Sequence, residues 1–183
     1  MARRRGTVHV IIKNWKIPFI IMTLVFAVAD ARADGSGDPA VASSDNGKYA
    51  DKDGNPTYNI HPDGTVDWYT YSGYRRYHSD CHVCHGPNGD GSSYAPPLVD
   101  SLKKMSYSDF AAVVTNGRKN VDAANDKVMP SFASNVNVMC FLDDIYVYLR
   151  ARSNNAIPGG RPPSHEDKPE AAKEAEASCT GVK

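Results

Sequence analysis

Three observations predict an all-α domain. Val138, Phe141, Leu142, Ile145, Tyr148 and Leu149 recur at i, i+3, i+4 and i+7, which marks one face of a helix over residues 138–152. Ser106 stands where an N-cap stands, with Asp109 three residues on. Phe110, Val113 and Val114 then form an apolar face, and Gly117 ends that helix. A further helix is expected over residues 68–79, where Gly73 and Tyr77 precede Cys81 at steps of four and share one face. On the last helix Asp143 and Asp144 are expected to face outward, while Arg150 and Arg152 suit its C-terminal end.

The first of these helices runs into Cys81-His82-Val83-Cys84-His85. C-x-x-C-H is the attachment signature for a c-type haem. Each thiol can add to one vinyl group, and the following histidine then lies beneath the iron as its proximal ligand. Zinc would need two more soft ligands at similar spacing, and Cys140 and Cys179 are isolated singles. Thioredoxin-like dithiol chemistry would need a βαβ setting that the sequence does not suggest. The expectation is one covalent haem c on Cys81, Cys84 and His85.

A low-spin electron carrier needs a sixth ligand, usually Met or His. Met129 is favoured, because Pro130 keeps its segment extended and lets the thioether turn inward. His61, His78 and His82 are the rivals, and an open site is the remaining alternative. The three helices enclose only a small core, and about 80 residues seldom suffice alone. A haem held by two thioethers would serve as core and staple, so the haem-free chain is expected to fold poorly.

Residues 1–33 read as an export signal. Arg3, Arg4, Arg5, Lys13 and Lys16 precede a short apolar run, and Ala31-Arg32-Ala33 is an A-x-A cleavage site. The run is about 13 residues, below the roughly 17–25 that span a bilayer, so cleavage is favoured over a membrane anchor. The reading is a periplasmic protein with no stable membrane insertion. The full chain balances 21 basic against 21 acidic residues. Removing residues 1–33 takes six Lys/Arg and one Asp, leaving a net charge near −5. That argues against a nucleic-acid partner and is compatible with a basic protein partner, or with solubility alone.

Residues 34–67 are expected to be a flexible segment and an extended or hairpin arm, with turns at Asp53-Gly54-Asn55 and Pro62-Asp63-Gly64. Asp51, Asp53 and Asn55 resemble a fragment of a calcium loop, but its closing Glu is missing and a plain turn is preferred. Residues 153–183 are Pro-, Ala-, Glu- and Lys-rich and read as a disordered tail. In an oxidising compartment the leftover pair Cys140 and Cys179 suggests a disulfide, which would stabilise by roughly 3–4 kcal/mol for its loop length.

Together with the haem motif, Gly73, Tyr77, Ala95-Pro96-Pro97-Leu98, Met129-Pro130-Ser131-Phe132 and the helix through Tyr148 resemble a class I cytochrome c over residues 68–152. The resemblance implies that the first and last helices cross at Gly73 and that the Pro96 carbonyl accepts a hydrogen bond from His85 Nδ1. Motifs across residues 48–170 further resemble the four-cysteine, methanol-metabolism-related c-type cytochromes. Among these are Asp53-Gly54-Asn55-Pro56-Thr57-Tyr58 and Arg161-Pro162-Pro163-Ser164-His165. Those proteins are kin to the electron acceptor of quinone-dependent methanol dehydrogenases. The implied function is electron transfer from a quinone-dependent methanol or alcohol dehydrogenase to a downstream cytochrome or oxidase, with no catalysis by the chain itself. Alternatives are a general electron shuttle, a five-coordinate haem that binds gas or peroxide, and an assembly subunit acting through its arm and tail.

Overall fold

The computed structural model describes residues 35–121 and 126–181; the expected export signal lies outside them. Seven α-helices and five short strands are seen among the described residues. Helix α1 spans Trp68–Asp80 and opens on Asp67, whose carboxylate accepts from the Thr70 N–H at 2.8 Å and the Thr70 hydroxyl at 2.6 Å. Helix α2, His82–His85, follows at once. Helix α3, Leu98–Ser101, leads through one 3-10 turn to α4, Tyr107–Asn116. Ser106 caps α4 by accepting from the Asp109 N–H, and Gly117 ends it.

The last periodic stretch is not one helix. It is α5, Val136–Met139, and α6, Leu142–Ser153, broken where Phe141 takes φ −125° and ψ 23°. The apolar period continues across the break because both segments bury side chains in one core.

That core forms where α6 crosses α1. Tyr77, Leu102, Phe110, Val114, Val138, Ile145, Tyr146, Tyr148 and Leu149 pack together there. A Cβ on Gly73 would overlap the Asp144 carbonyl and lie 2.9 Å from Tyr148 Cβ. Glycine costs a helix interior about 1 kcal/mol, and here it permits backbone-to-backbone contact.

Asp144, expected to face outward, is instead buried at the crossing, only 5% exposed. Burial pushes its carboxyl up to about 7, against a hydrogen bond with Ser72 and the charge of Lys48. The outward reading fails because α6 has no wet face at that level: every residue from 144 to 151 is buried.

The second face of α6 is covered by the arm, which is the hairpin expected after residue 48, while residues 35–47, expected to be loose, are folded with it. Strands β1 (Ser43–Asp45), β2 (Lys48–Ala50) and β3 (Pro56–Thr57) form an antiparallel sheet in that order. Asn46 and Gly47, at φ 50° and 80°, make the tight turn between β1 and β2. The wholly buried Arg150 guanidinium reaches into the arm. It pairs with Asp51 at 2.8 Å and donates to the carbonyls of Pro56 at 2.9 Å, Asp38 at 3.0 Å and Ser36. Asp51 also accepts from the N–H groups of Asp53 and Asn55, both at 2.9 Å. Burial works to raise the Asp51 carboxyl, but these donors outweigh it and hold it below its ordinary value. The fragment that resembled a calcium loop is thus a turn closed on an arginine.

A second hairpin, β4 (Arg118–Val121) with β5 (Asp126–Met129), sets Arg118 opposite Met129. The fold is therefore helical with two small sheets rather than purely all-α.

The tail is also ordered where it is described. Val66 donates to the Ser164 carbonyl at 3.2 Å and accepts from the Glu166 N–H at 3.0 Å. His165 stacks on Tyr71 at 3.6 Å between ring centres. Helix α7, Glu170–Thr180, is bound to α5 by the Cys140–Cys179 disulfide. Its Ala, Glu and Lys content, which read as disorder, is equally good helix material once a partner holds it.

Gly73→Ala should lower unfolding stability by at least about 3 kcal/mol, because neither backbone can yield, and denaturant titration of the holoprotein would show it. Asp144 gives a pH signature. Its folded pKa lies above its unfolded one, so the stability it contributes is full below about pH 4 and is lost as pH rises through about 7. In Asp144→Asn that decline should vanish, leaving the variant relatively more stable above pH 7 by a few kcal/mol; urea midpoints across pH would read it out.

Candidate haem site

The end of α1 fixes the attachment segment. Tyr77 accepts the Cys81 N–H on its carbonyl at 2.9 Å, and its own hydroxyl donates to the Gly86 carbonyl. Both thiols are free. Cys81 is half-buried against the core, where burial, with Asp80 and Cys84 adding, pushes its thiol up to about 12. Cys84 is exposed.

His85 is buried. Its Nδ1 lies 3.0 Å from the Pro96 carbonyl. A carbonyl only accepts, so Nδ1 carries the proton and Nε2 keeps its lone pair. Burial lowers the pKa of the ring, against the Pro96 hydrogen bond. A neutral imidazole with a fixed tautomer is what a metal ligand requires.

The loop behind it is tightly folded. The Gly91 N–H donates to the His85 carbonyl at 2.9 Å, and the Leu98 N–H to the Gly89 carbonyl at 2.8 Å. Gly91 has φ 83°, and a Cβ on it would meet Pro97 N at 2.7 Å, so only glycine lets Pro96 come this close.

Arg152 steadies the same loop from α6. It donates to the carbonyls of Asn88 at 3.3 Å and Ile157 at 2.8 Å, and lies 3.7 Å from Asp90. The sequence suggested a helix-end charge here; the loop contacts depend on chain return from residues 156–160 and leave no local signal.

Met129 ends β5, and the chain then passes over Gly117. A Cβ on Gly117 would stand 2.6 Å from the Met129 carbonyl and 2.8 Å from Ser131 N. The Phe132 N–H donates to the Val114 carbonyl at 3.1 Å, tying this return to α4. Cys81, Leu98, Met105, Met129 and Phe132 all pack on the core while staying only half-buried. They offer apolar surface for a flat macrocycle. Of the rival histidines, His61 and His78 have polar partners, while the buried Nδ1 of His82 has none. His61 contacts Glu166 at 2.6 Å, and His78 donates from Nδ1 to the Tyr74 carbonyl at 2.9 Å and stacks with His82.

Two free thiols, a neutral imidazole with an available lone pair, and half-covered apolar side chains fit a covalently attached haem and define a c-type cytochrome. Comparison with known proteins agrees. Residues 70–149 match the family described as cytochrome c oxidase, cbb3-type, subunit III. The chain is 48% identical over 135 residues to cytochrome c-553I of Paracoccus denitrificans, covering 74% of this chain and 60% of that relative's length. It is 38% identical over 96 residues to cytochrome c-555 of Methylococcus capsulatus, covering 52% of this chain and 72% of that one. The crystal structure of the c-type cytochrome XoxG from Methylobacterium extorquens AM1 superposes with a TM-score of 0.71 at 54% identity. That match covers 77% of this chain and 86% of that one. The chain belongs to the class I c-type cytochromes, carries covalent haem c, and is an electron-transfer protein rather than an enzyme.

Tyr77→Phe should leave the buried Gly86 carbonyl with only the Gly89 N–H, at 3.3 Å, as its donor, at about 1 kcal/mol. A lower denaturant midpoint at unchanged slope, with helical circular dichroism retained, is the expected result.

Proposed function

We propose that this is a periplasmic monohaem carrier that takes single electrons from a quinone-dependent methanol or alcohol dehydrogenase and passes them to a downstream cytochrome or oxidase. The observation that carries this reading is the extent of the likeness. The family match ends at residues 70–149, whereas 77% of the chain aligns with XoxG. The arm and tail, whose motifs resemble methanol-metabolism-related cytochromes, are folded onto the domain rather than loose.

In this reading Cys81 and Cys84 would hold the haem through thioethers, and His85 Nε2 and the Met129 sulfur would ligate its iron. The bound iron supplies one reversible electron. The chain's own residues set the conditions for it. Pro96 fixes the imidazole tautomer and makes Nε2 a better donor, while a thioether ligand from Met129 would favour the reduced state and raise the potential.

Val83 at 73%, Tyr94 at 74% and Val128 at 55% exposure come from the segments bearing Cys84, Pro96 and Met129. Such an apolar fringe suits a small, transient redox encounter. Among the described residues no helix is long and apolar enough to cross a membrane. The export signal at residues 1–33 supports the periplasmic assignment.

Stopped-flow mixing of the ferric holoprotein with a quinone methanol dehydrogenase and methanol, across salt concentrations, tests the role. Fast, salt-dependent reduction is expected. A protein that dithionite reduces but the dehydrogenase does not would leave a general shuttle. Met129→Ala should abolish the weak far-red ferric band that marks thioether ligation and lower the reduction potential. Retention of the band would move the sixth ligand elsewhere.

A further inference from the structure

Asn135 joins the segment that bears the thiols to the segment that bears Met129. Its Nδ2 donates to Asp80 Oδ1 at 2.9 Å, and Asp80 is the residue before Cys81. Its Oδ1 accepts from the Val138 N–H at 3.2 Å and so caps α5. Its own N–H donates to the Phe132 carbonyl at 2.8 Å, closing the turn that follows Met129-Pro130-Ser131.

The other Asp80 oxygen, Oδ2, is buried without a hydrogen-bond partner. The Asn135 amide is therefore the side-chain donor that compensates this carboxylate, and removing it would cost more than an average hydrogen bond. Helix α5 has four residues, too few to be rigid by its own hydrogen bonds. It is fixed from outside, by the Asn135 amide at its start and by the Cys140–Cys179 bond at its end.

We infer that Asn135 is a positioning residue for the sixth iron ligand: by gripping Asp80 it holds the Met129 return at a set spacing from the Cys81–Cys84–His85 segment. This rests on the reading of Met129 as that ligand. A merely structural role, as the cap of α5, predicts something different. It would lower the stability of the whole protein and leave the competition between Met129 and an added ligand unchanged.

Three variants of the holoprotein separate these roles. Asn135→Ser keeps a capping oxygen and loses the amide. Asn135→Asp keeps the cap and sets a carboxylate against that of Asp80. Asp80→Asn keeps the acceptor oxygen. The readouts are the far-red ferric band, its displacement by added imidazole, and the unfolding temperature from circular dichroism.

Imidazole should displace the band about tenfold more readily in Asn135→Ser, the factor that 1.4 kcal/mol represents, and more readily still in Asn135→Asp. Asp80→Asn should behave like wild type. Unchanged imidazole affinity in both Asn135 variants would overturn the inference alone. So would a lowered unfolding temperature with no change in imidazole affinity. A wild-type protein with no far-red band would overturn the ligand assignment and this inference together.

Discussion

The contact of two helix backbones at Gly73 governs the rest of the molecule. With no side chain between them, α1 and α6 approach until the Asp144 carbonyl lies against Gly73. At that distance Tyr77 meets Tyr148 with 5.4 Å between ring centres, and the Tyr77 hydroxyl reaches the Gly86 carbonyl. The start of the loop behind His85 is thereby fixed from the core. The geometry of the haem site is inherited from a crossing two helical turns before Cys81.

The same crossing explains why the domain carries an arm and a tail. A helix enclosed by α1 on one side still has another side to cover, and the three-stranded sheet covers it. Arg150 makes that cover specific. Its buried ion pair with Asp51 is not strong evidence of net stability, since both charges were taken out of water. It does demand one arrangement: three backbone carbonyls and one carboxylate must converge on a single guanidinium. The tail grips α1 instead, through the His165–Tyr71 stack and the pairing at Val66. The arm reaches α1 as well, where the Tyr69 hydroxyl donates to the Asn46 carbonyl at 3.3 Å.

What could be read from the sequence is what short-range rules control. The cap at Ser106, the stop at Gly117 and the span of α1 each depend on residues within one turn. Cys81, Cys84 and His85 form a local pattern whose chemistry requires that spacing. The partners of Asp144, Arg150, Arg152 and Asn135 lie far away in sequence, and their types mislead. An aspartate and two arginines on a periodic helix look like solvated charges when the model in mind has one wet face. The tail misread for a related reason: Ala, Glu and Lys are common to disorder and to helix, and only the covalent link at Cys179 and the contact with Val66 decide between them.

The Cys140–Cys179 bond has a consequence for the integrity of the chain. Residues 158–161 are exposed, between the end of α6 and the contact at Val66. A protease that cuts there separates a large piece containing Cys140 from a small one containing Cys179, yet the two remain joined through sulfur. The nicked protein would travel as one particle under oxidising conditions and fall into two fragments only after reduction. The tail is thus linked to the domain by two routes, one peptide and one covalent cross-link, and loss of the first alone does not release it.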